Sequence, residues 1–309
     1  MRFFSDRRCL EHRVPTGFPE VPSRLEAVLA SVERSDHEWV VKGSHPDGAT
    51  AILAAHEPGY VRRFEAAVSA GELFIDTADN PLSHGTWRAA RAAVDTCLHA
   101  TDWVCAQEGR KAVALVRPPG HHAERSMAMG FCYFNNIAVV AEYLLSSKGY
   151  QRLAIVDFDV HHGNGTQHIF EERGDVLYAS LHQHPFYPGT GNRQEKGRGA
   201  GMGATVNVPL AAGSGDAVYQ QAFEEIVLPA VREFRPEVLL VSAGFDACES
   251  DPVGGMKVTC GAFEAWGRWL GEIAGDLCHG RVVVALEGGY DISGLGDQLL
   301  ACCRGLVAR

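Results

Sequence analysis

The stretch DFDVHHGNG, residues 157–165, holds the side chains of this chain that are best suited to bind a metal ion. Alternate residues of an extended segment project to one face, so Asp157, Asp159 and His161 can point in the same direction. A single Asp or His at a strand end is more often a turn former or a hydrogen-bonded polar residue. Taken alone, the spacing leaves both interpretations open.

Three other polar segments share this character, and each follows an apolar run: RPPGHH at 117–122, FDA at 245–247 and GGY at 288–290. The carboxyl ends of parallel strands line the ligand crevice of an open α/β sheet, so we expect the four segments to converge. Helix capping alone rarely places Asp, His or Tyr beside glycine at four strand ends. The set therefore favours a functional site.

Asp246, in FDA, completes a candidate ligand set with Asp159 and His161. Two carboxylates and one imidazole leave a coordination position open for water or substrate, which is typical of a catalytic rather than a structural zinc site. The same set would also accept Fe(II) or Co(II). The sequence predicts a catalytic site for one metal ion.

The elements that must position these residues alternate along the chain from about residue 110. Apolar runs rich in β-branched residues predict strands at 111–116, 152–158, 176–181, 205–210, 237–243 and 281–287. Apolar residues at three- and four-residue steps predict helices at 87–104, 135–147, 217–234 and 263–277. Asp216 is the expected N-cap of the third helix, and Pro229 should kink it. We predict one α/β domain over residues 1–309, with a central, mostly parallel sheet and helices on both faces.

Composition limits the classes of partner. The net charge of −10 argues against binding to nucleic acid or an anionic membrane, but would tolerate a cationic substrate. No run approaches the ~20 apolar residues of a membrane helix, and the first residues lack an apolar signal region, so we expect a cytoplasmic protein. Nine cysteines without a C-x-x-C spacing indicate free thiols, and the Cys302–Cys303 pair is best explained by packing.

Six motifs occur in one order along the chain: RPPGHH, GFCYFNN, DFDVHHGNGTQ, SLH…FYPGTG, SAGFDA and EGGY. In this the chain resembles the zinc-dependent histone deacetylase family, which includes acetylpolyamine amidohydrolases, from about Pro22 to Tyr290. The HHGNG and LEGGY segments are most similar to the class II and bacterial branch. The resemblance implies the arginase/deacetylase α/β fold and one Zn²⁺ per chain.

The resemblance also implies roles for individual residues. Asp159, His161 and Asp246 match the zinc ligands, in agreement with the spacing. The matches to the catalytic residues are His121, His122, Asp157, Asn164 and Tyr290. The implied reaction is hydrolysis of an acyl amide by metal-activated water, with His122 as general base and acid and Tyr290 stabilising the oxyanion.

The substrate-binding residues follow from the same resemblance. Phe131, after Gly130, and Tyr187 match the walls of an acyl-lysine tunnel, and Tyr187 stands where relatives often have Phe. Asp79 matches a rim residue that holds the substrate backbone, and Arg24 an arginine of an internal pocket. Gly288 and Gly289 of EGGY are also implied to contact the substrate. In addition, the resemblance implies a structural K⁺ site formed by Asp157, Asp159, His161, Ser180 and Leu181.

Alternative functions fit less well. A two-metal, arginase-like enzyme of this fold would need carboxylates at Gly163 and Cys248, and a non-enzymatic binding module would be expected to lose a ligand, a tandem histidine or Tyr290. The expected substrate is Nε-acetyl-lysine in a protein or peptide, with an acetylated polyamine or other small amine as the alternative. Val253 replaces the glutamate of polyamine-selective relatives, and the segment from His56 to Arg117 has no room for a long dimer-forming insertion.

Overall fold

The computed structural model describes residues 1–35, 37 and 39–308. Its main sheet has eight strands: β1 (Arg2–Ser5), β2 (Trp39–Val40), β5 (Lys111–Leu115), β6 (Leu153–Asp157), β7 (Val176–Gln183), β8 (Thr205–Leu210), β9 (Val238–Ala243) and β10 (Val282–Leu286). They lie in the order β2-β1-β5-β10-β9-β6-β7-β8, and every neighbouring pair is parallel. The predicted α/β fold with a central parallel sheet is confirmed.

Helices pack on the sheet and close the core. They are α1 (Pro22–Arg34), α2 (Gly48–Ala55), α3 (Pro58–Ala70), α4 (Thr86–Cys105), α5 (Asn136–Ser147), α6 (Asn164–Phe170), α7 (Asp216–Ala222), α8 (Leu228–Phe234), α9 (Cys260–Leu277) and α10 (Leu295–Val307). Every residue of β6, β9 and β10 is buried, as expected for parallel strands covered on both faces. No helix in the described residues is long and apolar enough to cross a membrane.

The six predicted strands and four predicted helices are all present, with ends shifted by a few residues. The N-terminal third holds elements that the pattern did not reveal: β1 and β2, α1 to α3, and a hairpin of β3 (Phe74–Ile75) and β4 (Thr77–Pro81). β1 to β3 have only two to four residues, too few to produce a readable alternation. The C-terminal α10 was also missed, and it packs closely on α9.

Asp216 was predicted to cap its own helix, and that prediction is wrong. Gly215 occupies the N-cap position, and the Asp216 carboxylate instead accepts hydrogen bonds from the Thr259 N–H at 2.8 Å and hydroxyl at 2.7 Å. A π-helical turn at Phe223–Val227 separates α7 from α8 just before Pro229, where the sequence predicts a kink. Proline lacks the N–H that would continue a regular helix.

The nine cysteines are free thiols, as predicted. Cys302 and Cys303 are buried on α10. A Cβ on Gly267 of α9 would lie 2.0 Å from the Cys302 carbonyl oxygen, so glycine lets the two helices approach closely. This supports a packing role for the cysteine pair.

Candidate active site

The four polar segments follow β5, β10, β9 and β6, which are consecutive neighbours in the sheet. Their side chains meet at the carboxyl edge, around a cavity of about 210 Å³. The cavity is lined by Asp79, Pro119, His121, His122, Gly130, Phe131, His161, Phe186, Tyr187, Val253, Gly288 and Tyr290. The four segments converge, as the sequence predicts, because the strands that precede them are neighbours in the sheet.

Asp159, His161 and Asp246 have ligand atoms within 4.8 Å of one another. His161 Nδ1 lies 3.0 Å from Asp159 Oδ1 and 3.1 Å from Asp246 Oδ2. A single ring N–H cannot serve both carboxylates, and Asp246 Oδ2 is a buried oxygen without a hydrogen-bond donor. The other carboxylate oxygens are held by backbone, with N–H groups of Val160 and Gly288 donating to Asp246 Oδ1 and Asp159 Oδ2, each at 2.8 Å.

These three residues fit a divalent cation. All three are buried, and burial together with the Asp159 carboxylate raises the pKa of Asp246 to about 7. Two buried carboxylates face one imidazole, whose single charge when protonated can balance only one of them, and a bound divalent cation would balance both. Two oxygens and one nitrogen are a donor set that zinc accepts.

His122 is prepared to accept a proton. Its Nδ1 lies 2.7 Å from the amide oxygen of Asn164, so Nδ1 carries the hydrogen and Nε2 keeps a lone pair. Burial, reinforced by the charges of His121 and His161, lowers the pKa of His122 well below its usual value. Its imidazole is therefore neutral at physiological pH.

His121 has the opposite electrostatic environment. Its Nδ1 lies 3.1 Å from Asp157 Oδ2, which also accepts the Tyr178 hydroxyl at 2.9 Å. Burial opposes a charge on the ring, but the carboxylates of Asp159 and Asp157 outweigh it and raise the pKa of His121 to about 10. The two rings are 4.0 Å apart between centroids, yet they favour different protonation states.

Tyr290 reaches the cavity from the segment after β10. Its backbone N–H donates to Asp251 Oδ2 at 2.6 Å, and burial raises the pKa of its hydroxyl well above 10. The Arg24 guanidinium lies 4.7 Å from the ring centroid and donates to the carbonyl oxygens of Gly289 at 2.6 Å and Glu287 at 2.7 Å. Arg24 and Gly289 thus support the tyrosine from behind the cavity lining.

Two rim residues bond to each other across the mouth. The Tyr187 hydroxyl donates to Asp79 Oδ2 at 2.9 Å, while Thr77 donates to Asp79 Oδ1. Burial, with Asp79 adding to the effect, raises the pKa of Tyr187, so its hydroxyl keeps the proton. The Tyr187 ring also stands perpendicular to that of His122, with centroids 5.2 Å apart.

Phe131 faces these residues from a strained turn. Gly130 and Phe131 both have positive φ, 57° and 67°, and a Cβ on Gly130 would lie 2.3 Å from the His122 ring. Phe186, which the sequence analysis did not single out, stacks on His161 at 5.1 Å between centroids. The cavity wall is therefore formed by aromatic rings that end at the Asp-His-Asp cluster.

The residues predicted for potassium lie on neighbouring strand ends. Ser180 pairs in register with Asp157, and its hydroxyl lies 2.9 Å from His182 Nδ1. Ser180 and Leu181 are fully buried. The potassium site stays a prediction.

Supporting residues were missed by the sequence analysis. Tyr178 lies two positions before Ser180 on β7, and Glu287 stands inside the EGGY motif at a strand end, so both had a local signal. Glu20 bridges the buried Arg24, four residues further along, and Arg117, with 2.9 Å to each. The Glu20–Arg117 pair is recognisable only once distant segments have been brought together.

Comparison with known proteins decides the family. The histone deacetylase domain matches residues 18–306. The chain belongs to the histone deacetylase family. The histone deacetylase-like amidohydrolase of Pseudomonas aeruginosa is 38 % identical over 309 residues, covering 93 % of this chain and 81 % of that protein.

Solved structures of the family agree in fold. The HDA15 HD domain superposes with a TM-score of 0.90 at 36 % identity, over 100 % of this chain and 91 % of that one. The acetylpolyamine aminohydrolase of Burkholderia pseudomallei gives 0.89 at 30 % identity, over 100 % and 99 %. Members of the histone deacetylase family are hydrolytic, zinc-dependent deacetylases, so the predicted fold and enzyme class are confirmed.

Proposed function

We propose that this histone deacetylase family member removes acetyl groups from Nε-acetyl-lysine in peptides or proteins. The observation that carries the proposal is the cavity: rings of Phe131, Phe186 and Tyr187 lead to the Asp-His-Asp cluster, and Asp79 is the sole carboxylate of the lining outside that cluster. A lysine side chain presents four methylenes before its acylated nitrogen. An apolar passage favours that uncharged chain.

The catalytic assignment rests on the hydrogen bonds of the tandem histidines. With its Nδ1 hydrogen held by Asn164, His122 takes a proton from the attacking water at Nε2 and returns one to the leaving amine. His121, charged beside Asp157, adds a positive field close to the reacting carbonyl. Tyr290 keeps its proton and donates it as a hydrogen bond to the developing oxyanion.

Asp159, His161 and Asp246 are the residues that would hold the zinc ion. Bound there, zinc supplies a Lewis acid for the carbonyl and lowers the pKa of water. The backbone N–H groups of Val160 and Gly288 keep both carboxylates oriented toward the cluster. A potassium ion beside Asp157, Ser180 and Leu181 would stiffen the same strand ends.

An acetylated polyamine is the second candidate, favoured by the structural similarity to an acetylpolyamine aminohydrolase over nearly the whole chain. Such a substrate carries free ammonium groups that need acidic partners near the mouth. Here the uncharged Val253 lines the cavity, and Asp79 is the one carboxylate of that lining. The mouth therefore favours acetyl-lysine.

The test is kcat/KM of zinc-loaded protein on an acetyl-lysine peptide, N-acetylputrescine and N8-acetylspermidine. We expect kcat/KM to be at least about tenfold higher for the peptide, because one missing hydrogen bond to a charged ammonium group lowers the rate by about that factor. Val253→Glu should raise activity on N8-acetylspermidine, and Val253→Gln, which has similar size without the charge, should not. A wild-type preference for either polyamine would overturn the substrate assignment.

A further inference from the structure

We propose that Glu287 is a positioning residue that holds the tandem histidines in register with the metal cluster. The inference rests on the proposed function, and adds to it a carboxylate that lines no part of the cavity. Glu287 follows β10 directly and is fully buried. It would act through the backbone of the segment that carries His121 and His122.

The carboxylate of Glu287 accepts two consecutive backbone N–H groups of that segment. Its Oε2 lies 2.6 Å from the Gly120 nitrogen and 3.2 Å from the His121 nitrogen. Its Oε1 accepts the Ser242 hydroxyl at 3.2 Å. Two successive N–H groups aimed at one oxygen form a concave anion site, so the conformation of the backbone before the histidines depends on this acceptor.

The backbone of Glu287 is itself held by hydrogen bonds at both its N–H and its carbonyl oxygen, so its position is fixed. Its N–H donates to the Ala243 carbonyl oxygen at 2.9 Å, and its own carbonyl oxygen accepts the Arg24 guanidinium at 2.7 Å. The segment that it holds is also closely packed, because a Cβ on Gly120 would lie 2.4 Å from the Asn136 nitrogen. Because Glu287 is held in place and the segment at Gly120 is closely packed, we expect the Glu287 carboxylate to fix the position of that segment as well as to supply charge.

A second carboxylate in the chain makes the same contact far from the site and supplies a matched control. Glu237 Oε2 accepts the N–H groups of Gln151 at 2.5 Å and Arg152 at 3.1 Å. These residues precede β6 and β9, at the amino edge of the sheet. Removal of Glu237 therefore removes a pair of hydrogen bonds of the same type, at a more exposed position, without touching the histidine segment.

The experiment compares Glu287→Ala, Glu287→Gln and Glu237→Ala by steady-state kinetics, zinc content and amide hydrogen exchange. Glu287→Ala should lower kcat by about tenfold to a hundredfold, as expected for misplaced catalytic groups, with KM and zinc content unchanged. Exchange should accelerate in residues 117–123. Glu287→Gln retains an acceptor oxygen and should restore both kcat and exchange protection.

Glu237→Ala should accelerate exchange at residues 149–153 and leave kcat unchanged. If Glu287→Ala does not fold, Glu287→Asp, which keeps the charge but shortens the reach, should show the same loss. Unchanged exchange at 117–123, or unchanged kcat, in the folded variant would overturn the inference. Wild-type protein inactive on every acetylated amine would instead overturn the proposed function, and the exchange data would still test the contact.

Discussion

The candidate active site can be compared with a second cluster of histidine and aspartate; among the described residues, only the first brings metal-ligand atoms of three such side chains together. The second lies between α2, α4 and α5, where His45 Nε2 donates to Asp102 Oδ2 at 2.9 Å. Lys148 and the Tyr143 hydroxyl approach Asp102 Oδ1 at 2.8 and 2.9 Å. The His99 ring stands 4.7 Å from that of His45. Residue types alone would not separate this cluster from the catalytic one.

The two clusters differ in how their carboxylates are satisfied. Asp102 receives three donors, one of them a full positive charge, so its carboxylate is satisfied without a metal ion, although the His99 ring beside it keeps a buried Nε2 without a hydrogen-bond partner. In the candidate active site, two buried carboxylates share the Nδ1 of His161, and Asp246 Oδ2 accepts no hydrogen bond. Two buried carboxylates that converge on one imidazole, with an oxygen that no donor satisfies, therefore indicate a metal site better than the number of histidines does.

The largest expected effect separates the two clusters directly. Asp159→Ala or His161→Ala should remove zinc and lower kcat/KM by at least ~10³-fold, because Lewis acid catalysis is lost. Asp102→Ala should retain one zinc per chain and activity within about twofold, since it lies outside the site. Zinc content by atomic emission and kinetics check both. Stoichiometric zinc in either ligand variant would contradict the ligand assignment.

Tyr290→Phe tests whether the site contains more than its metal ligands. Removal of one oxyanion donor should lower kcat by about 10²–10³-fold. Zinc content should be unchanged, because Tyr290 is not in the ligand cluster. Single-turnover kinetics would separate chemistry from product release. Near-normal turnover would mean that the oxyanion is stabilised by another group.

Gly288→Ala tests the space that the catalytic cluster requires. The added Cβ would lie 2.3 Å from Asp246 Oδ2 and 2.5 Å from Asp159 Oδ2, so the carboxylates must move. We expect zinc affinity to fall by about 10–100-fold, measured by competition with a chelator. The control is Gly275→Ala on the exposed face of α9, where nothing lies within 4 Å. It should leave zinc affinity unchanged and raise the free energy of unfolding by about 0.5–1 kcal/mol.

Asp102→Asn should give the smallest effect of these variants, a pH-dependent loss of folding stability. Burial would raise the pKa of Asp102, but hydrogen bonds from His45, Lys148 and Tyr143 outweigh it and hold that pKa well below its usual range. Since the folded pKa is lowered, the stabilisation is present above pH ~4, the ordinary value, and is lost as pH falls below it.

At pH 7 the free energy of unfolding of Asp102→Asn should be about 1 kcal/mol lower than that of the wild type. The effect is this small because Asp102 is 37 % exposed and solvent screens its ion pair and hydrogen bonds. Urea unfolding at pH 7 and below pH 4 measures the difference between variant and wild type. That difference should shrink at acid pH. A difference independent of pH would show that the charge of Asp102 does not stabilise the cluster.

The sequence alone determined the parallel sheet and the composition of the site. Uniformly apolar runs marked β5 to β10, because strands buried on both faces must be apolar along their whole length. DFDVHH placed two candidate ligands within one extended segment, and the motif order indicated the family. The N-terminal strands could not be predicted, because they are short and gain their stability from the sheet that they join.

Only the tertiary structure decided which distant residues meet. The Tyr187–Asp79 bond at the rim joins positions 108 apart in sequence, and the Glu287–Gly120 bond joins positions 167 apart. Spacing along the chain predicts the face of a strand but not which strand lies beside it. The order β5-β10-β9-β6 makes that choice, because only neighbouring strands of a sheet can bring their carboxyl ends into one cavity.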